Sequence, residues 1–175
     1  DKVALESARN IVASNAVLKG NVELRLQPEP HRIFSNVIRD DEYFDLTICN
    51  PPFFASYGEA EAASMRKQRN LKARKSDFNV RNFKGQNSEL WCAGGEKQFL
   101  KDMVYQSKKF GSSTFWFSTL VSKESNLKSI YAALKHNEAV FVRTTPMRQG
   151  NKTSRIVAWT FLSRDKQEAW VKTRW

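Results

Sequence analysis

The 175-residue sequence is poor in the residues that build metal centres and covalent scaffolds. It has two cysteines, Cys49 and Cys92, and two histidines, His31 and His136. That is too few for a disulfide framework and a weak basis for a zinc site, so no metal is expected. No apolar run approaches the roughly 20 residues of a membrane span. No charged segment followed by an apolar one opens the chain, as a secretion signal would require. Internal repeats and low-complexity tracts are also absent. These absences read as a reduced, soluble, cytoplasmic protein with no membrane partner; a monomer is the separate expectation. The chain begins at Asp1 without a methionine, and Asp1-Lys-Val-Ala-Leu5 reads like the end of a strand running into a helix. It therefore reads as a piece of something longer.

What is present is apolar material and positive charge. Hydrophobic residues make up 41% and aromatics 12%, enough for a real core in a chain of one-domain length. Lysine and arginine number 29 against 18 acidic residues, a net charge of +11. A small protein this basic is expected to meet a polyanion or an anionic surface.

Apolar residues at Val3, Leu5, Ala8, Ile11 and Val12 predict a helix over residues 2–15. Val22 to Gln27 alternates like a strand and stops at Pro28. Residues 31–39 read as a short helix, and Tyr43 to Cys49 as a buried strand of a parallel sheet. Helical spacing is lost from Ala55 to Leu90 and returns over 96–109. Thr114–Val121 reads as a second buried strand, and 125–135 as a helix. Ala139–Arg143 and Arg155–Leu162 read as two further strands, separated by a gap long for a hairpin. The tail from Ser163, with Trp170 and Trp175, has no clear pattern. Strands separated by helices, followed by two strands in succession, predict an α/β sheet with an antiparallel strand near its end.

Asn50-Pro51-Pro52-Phe53 follows directly on the strand ending at Cys49. In open α/β sheets, ligands gather at the carboxyl ends of strands. These residue types suit one task, gripping a planar amino group. Asn50 offers a side-chain carbonyl acceptor. Pro51 and Pro52 stiffen the turn and carry no N–H, which leaves its carbonyls without nearby donors. Phe53 supplies a flat face for stacking. The exocyclic amine of adenine has its lone pair delocalised into the ring. Two acceptors on its two hydrogens favour a pyramidal nitrogen whose lone pair points at an incoming methyl group, by positioning and electrostatics without a strong base.

The tetrapeptide after an apolar strand resembles motif IV of the S-adenosylmethionine-dependent amino methyltransferases. More narrowly, the chain resembles the bacterial 23S rRNA adenine-N6 methyltransferases of the RlmF family and their eukaryotic U6 RNA-modifying relatives. The resemblance is carried by Phe44 to Phe54, Gly94-Gly-Glu-Lys-Gln-Phe99, Arg148-Gln-Gly150 and Ser154 to Phe161. It implies a Rossmann-like class I methyltransferase sheet with an antiparallel last strand. It implies methyl transfer from S-adenosylmethionine to N6 of an adenine in 23S rRNA, free or in an assembling large ribosomal subunit. Asn50, Pro51, Pro52 and Phe53 would hold the adenine, and Asn50 would also touch the methyl donor. Asp1 would bind the cofactor ribose, Gln27 would approach its adenine, and Gly95 and Glu96 would border the site. The family's Gly-rich cofactor loop and first strand have no counterpart here and are expected before Asp1. On this basis residues 1–162 are the C-terminal part of a methyltransferase domain, with a basic insertion at 55–90 and a tail at 163–175.

The insertion concentrates the charge. Arg66, Lys67, Arg69, Lys72, Arg74, Lys75, Arg81 and Lys84 stand against a single acidic residue, Asp77, with Phe78 and Phe83 interleaved. Basic and aromatic residues together suit phosphate contact and base stacking on RNA. Arg143, Arg148, Lys152 and Arg155 form a weaker second patch. Other readings of the motif are a DNA adenine or protein glutamine methyltransferase, or an inactive RNA-binding module. Glutamine enzymes usually carry Tyr at the position of Phe53, and DNA enzymes need a recognition domain for which there is little room.

Overall fold

A computed structural model describes residues 2–73, 87–150 and 152–175. The elements are, in order, α1 (Lys2–Ser14), β1 (Phe44–Cys49), α2 (Tyr57–Ala73), α3 (Asn87–Leu90), α4 (Gly95–Ser107), β2 (Thr114–Val121), α5 (Leu127–His136), β3 (Phe141–Gln149), β4 (Lys152–Thr160) and α6 (Arg164–Arg174). The chain divides into two compact units. One holds Asp1–Pro28 and Pro52–Gly95; the other holds Glu29–Pro51 and Glu96–Trp175. Two of the crossings fall inside sequence motifs, between Pro51 and Pro52 and between Gly95 and Glu96.

The second unit carries a four-stranded sheet in the order β1-β2-β4-β3. β1 runs parallel to β2, with Leu46 opposite Trp116 and Ile48 opposite Ser118. β4 is antiparallel to both β2 and β3. This is the sheet of a class I methyltransferase fold, with its late antiparallel strand inserted beside β2. One face is the core. Phe117, Val121, Val157 and Trp159 pack there with Leu100, Met103 and Val104 of α4 and Ile130 and Leu134 of α5. Residues facing one way alternate along each strand, so Phe117 and Trp159, directly paired, stack on the same face. The Trp159 indole N–H donates to Ser107 Oγ at 3.0 Å, so this buried ring leaves no polar atom unpaired.

Several expectations are corrected. Residues 22–27 form no strand. Their alternation is present, but a strand exists only with a ladder partner, and none occurs among the described residues. Residues 31–39 are a sequence of turns and not a helix. Asn36 takes a positive φ of 69°, and Phe34 alone is fully buried, against Phe110 and Phe117. β1 is not buried on both faces. Among the described residues it is an edge strand, and Ile48 is 82% exposed. The gap after Arg143 is part of a hairpin. β3 and β4 stay paired from Phe141–Thr160 to Gln149–Lys152, with Pro146 tolerated because β3 is an edge among the described residues. The tail is a helix, α6, whose Trp170 is buried with Phe115 and Leu162.

Candidate active site

Asn50 follows the last residue of β1 and stands at the carboxyl end of the parallel pair. Pro51 ends the strand because it has no N–H to give the ladder. Pro51 is buried and Asn50 is exposed. No hydrogen bond to a described residue engages the Asn50 side chain or the Pro51 carbonyl. Asn50 borders a cavity of about 330 Å³ together with Ile48, Cys49, Ser118, Thr119, Leu120, Met147 and Ile156. Its walls are thus mainly apolar, with a few polar groups, as in most small-ligand sites. Ser118 Oγ donates to the Thr47 carbonyl at 2.7 Å and adds a side-chain tie between β1 and β2. Burial pushes the Cys49 thiol up to about 11, opposed by a hydrogen bond with Thr119. It is therefore a thiol and not a nucleophilic thiolate near neutral pH.

On the other unit, the motif continues as Pro52 and Phe53, both half-buried. The backbone N–H groups of Phe53 and Phe54 both donate to the Leu90 carbonyl at 3.1 Å, and Cys92 N–H returns a bond to Phe54 O at 3.1 Å. A single parallel bridge joins Phe54 and Trp91. The segment around Cys92 thus fixes the backbone that carries Phe53. Its bend depends on glycine. Gly95 has φ of +63°, and a side chain there would meet the Ala55 backbone at 3.3 Å. The helix after the motif opens with a capping arrangement: Glu59 N–H donates to Ser56 Oγ at 3.3 Å, and Ala55 N–H to Glu59 Oε2 at 3.0 Å. Ser56-x-x-Glu59 is a helix-start signal in the sequence, and it announces α2 where apolar periodicity does not.

Back in the sheet unit, Glu96 is 2% exposed. It accepts hydrogen bonds from Ser122 N–H at 2.6 Å, Lys123 N–H at 3.3 Å and Asn126 Nδ2 at 2.6 Å. The carboxylate therefore pins the loop that leaves the carboxyl end of β2. An acidic residue directly after a glycine pair is the only sequence sign of this function.

The remaining candidates are dispersed. Arg66 lies exposed on α2, its Nε–H donating to Ala62 O at 3.3 Å. Lys67, Arg69 and Lys72 follow on the same helix. Arg74, Lys75, Arg81 and Lys84 lie outside the described residues, as does Asp1. Gln27 is half-buried in the extended segment of the first unit, in a different unit from Asn50. In the sheet unit, Arg143 and Arg148 are exposed on β3, while Arg155 pairs with Glu124 at 2.6 Å. No group of acidic, cysteine and histidine side chains suited to a metal occurs among the described residues. No described helix is long and apolar enough to cross a membrane.

Comparison with known proteins bears on the family and the fold. Residues 1–163 match a family model described as RNA methyltransferase. The chain is 51% identical, over its whole length, to a protein of Cytophaga hutchinsonii named ribosomal RNA large subunit methyltransferase F, of which it covers 54%. It thus spans about half the length of the curated relatives it matches. Among solved structures, the hMettl16 catalytic domain in complex with the MAT2A 3′UTR hairpin 1 is 24% identical, with a TM-score of 0.73 over 94% of this chain and 54% of that one. The N-terminal domain of human METTL16 in complex with SAH is 18% identical, with a TM-score of 0.64 over 93% and 50%. These structures share the fold. With the family model spanning all but the last twelve residues, the chain belongs to the RNA methyltransferase family.

Proposed function

We propose that this chain is the substrate-facing part of an enzyme that methylates N6 of an adenine in 23S rRNA, free or in an assembling large subunit, in the cytoplasm. One observation carries the reading. The Asn50 amide stands at the carboxyl end of β1 with no described partner, on a turn whose two prolines supply no N–H. The next two N–H groups, of Phe53 and Phe54, are spent on Leu90 O. The acceptors of the motif are therefore left for a ligand that brings donors, and an exocyclic amine brings two.

In this reading the Asn50 side-chain carbonyl and the Pro51 carbonyl accept the amine hydrogens, and the ring of Phe53 stacks on the base. The adenine must leave its stack to reach them. Holding both hydrogens draws the nitrogen toward a pyramidal geometry and frees its lone pair, so the chain contributes orientation and electrostatics. The methyl donor is S-adenosylmethionine, which supplies an electrophilic methyl group when bound. Fit to this donor is supported by the unspent Asn50 amide beside a largely apolar cavity. Gln27, Asn50 and Asp1 are the residues proposed to hold it. The basic residues Arg66, Lys67, Arg69, Lys72, Arg74, Lys75, Arg81 and Lys84 are proposed to contact RNA phosphates. The names of the relatives support rRNA as the substrate, and the enzyme is proposed to act as a monomer without a metal.

The test is nucleoside mass spectrometry of 23S rRNA from cells with and without the gene. Loss of one N6-methyladenosine on deletion is expected. An unchanged nucleoside profile would overturn the proposal.

A further inference from the structure

We infer that Glu96 is a positioning residue for methyl transfer: through the loop 122–126 it holds the carboxyl end of β2 as a wall of the Asn50 cavity. This rests on the functional reading above. The three donors on Glu96 are two backbone N–H groups and the side chain of Asn126, which is itself 7% exposed. A carboxylate is an acceptor only, and here it faces donors only, so the match is complete in kind. Ser122 comes two residues after Leu120, and Leu120, Thr119 and Ser118 line the cavity beside Cys49 and Asn50. A second tie acts on the same loop from outside. Arg155 of β4 bonds Glu124 at 2.6 Å, next to Ile156, which also lines the cavity. The loop is thus pinned twice, once by a buried carboxylate and once by an ion pair between the largely buried Arg155 and the exposed Glu124.

The buried tie governs the geometry. Removing its acceptor leaves two N–H groups and an amide without partners inside the protein, and the loop must move to hydrate them. Misplacement of a site by about 1 Å costs about 10²-fold in turnover. The Arg155–Glu124 pair reaches the loop only through Glu124, whose side chain is exposed, and it leaves the backbone N–H groups of Ser122 and Lys123 to Glu96.

The experiment is a double-mutant cycle in the native protein, reading kcat, KM for RNA and amide exchange at Ser122 and Lys123. Asn126→Asp sets a second carboxylate against Glu96. It is expected to lower kcat by about 10²-fold, leave KM for RNA within about twofold, and speed exchange at both amides. Adding Glu96→Gln restores the two short bonds, since the new amide N–H donates to the carboxylate at position 126 while its carbonyl still accepts from Ser122; only the long bond from Lys123 N–H, which shared Oε2, is lost. The double variant is expected to regain at least half of the missing kcat on a logarithmic scale. A kcat within twofold of wild type for Asn126→Asp, or no recovery in the double variant, overturns the inference. Asn50→Ala, run in parallel, separates the two claims. If Asn50→Ala is inactive while Asn126→Asp is fully active, only the role of Glu96 fails. If Asn50→Ala turns over normally, the functional reading fails and takes this inference with it.

Discussion

The two ends of the one sheet treat their polar groups in opposite ways. At the amino end of β1, Asp45 accepts N–H bonds from Trp170 at 2.8 Å and Trp175 at 2.7 Å. Arg174 lies over the Tyr43 ring at 3.9 Å and near that of Trp170 at 5.0 Å. The two indole bonds, and then the Arg174 charge, hold the Asp45 carboxyl below the usual carboxylate range. Five residues further along the chain, at the carboxyl end, Asn50 has no described partner at all. One end uses its polar groups to fasten α6 to the sheet. The other leaves its polar group without a described partner. If the proposed function holds, a single strand carries a structural terminus and a chemical one, and substitutions at the two should separate stability from turnover.

The largest effect is expected at the structural end. Trp170 is buried with Phe115 and Leu162, and Trp170→Ala should cost about 3–5 kcal/mol in denaturant unfolding. The folded fraction should keep its turnover; a drop in turnover in fully folded protein would break the contrast. Phe53→Ala should raise the barrier by about 1–3 kcal/mol, the worth of one base–aromatic stack, read as kcat/KM on RNA in folded protein. Neutralising Arg66, Lys67, Arg69 and Lys72 together should flatten the salt dependence of RNA affinity, by up to about 0.7 in the slope for each phosphate no longer neutralised. An unchanged slope would remove these residues from the RNA interface.

A further effect is confined to alkali, at Cys49. Its folded value of about 11 lies above the ordinary 9.0, so the folded protein keeps a proton that the unfolded chain releases. The stabilisation is full below pH 9 and is lost as pH rises through 11. Cys49→Ala should remove that alkaline slope from the unfolding free energy. Persistence of the slope in the variant would assign it to another group.

How much of this is visible in the residues depends on what each element is made of. Thr114–Val121 has the expected bounds because an apolar run in a central strand needs no other signal. The first turns of the site are equally legible, since Asn-Pro-Pro-Phe after an apolar strand joins a recognisable turn to a defined place in the sheet. The hairpin is only half legible. Thr144, Thr145 and Pro146 are polar or strand-breaking, and they pair because β3, an edge among the described residues, has β4 as its partner. α2 escapes the pattern for the opposite reason. It has no apolar stripe, and its start is written in the Ser56–Glu59 cap instead. α6 is hidden because one buried residue, Trp170, and a distant carboxylate hold it, and neither makes a period. The alternation at 22–27 misleads because alternation describes a strand's faces and says nothing of its partner. Glu96 can be singled out but not assigned from sequence, since its three donors come from residues 26 to 30 positions away.

The most direct test of the account measures turnover and thermal midpoint together in Asn50→Ala. Because this side chain makes no described hydrogen bond and is exposed, the midpoint should stay within about 2 °C of wild type, as for a surface substitution. RNA affinity should be largely kept, and methyl transfer should fall by about 10²–10³-fold or more. Normal methyl transfer by a folded Asn50→Ala protein would contradict the central claim that the open end of β1 is where the chemistry is done.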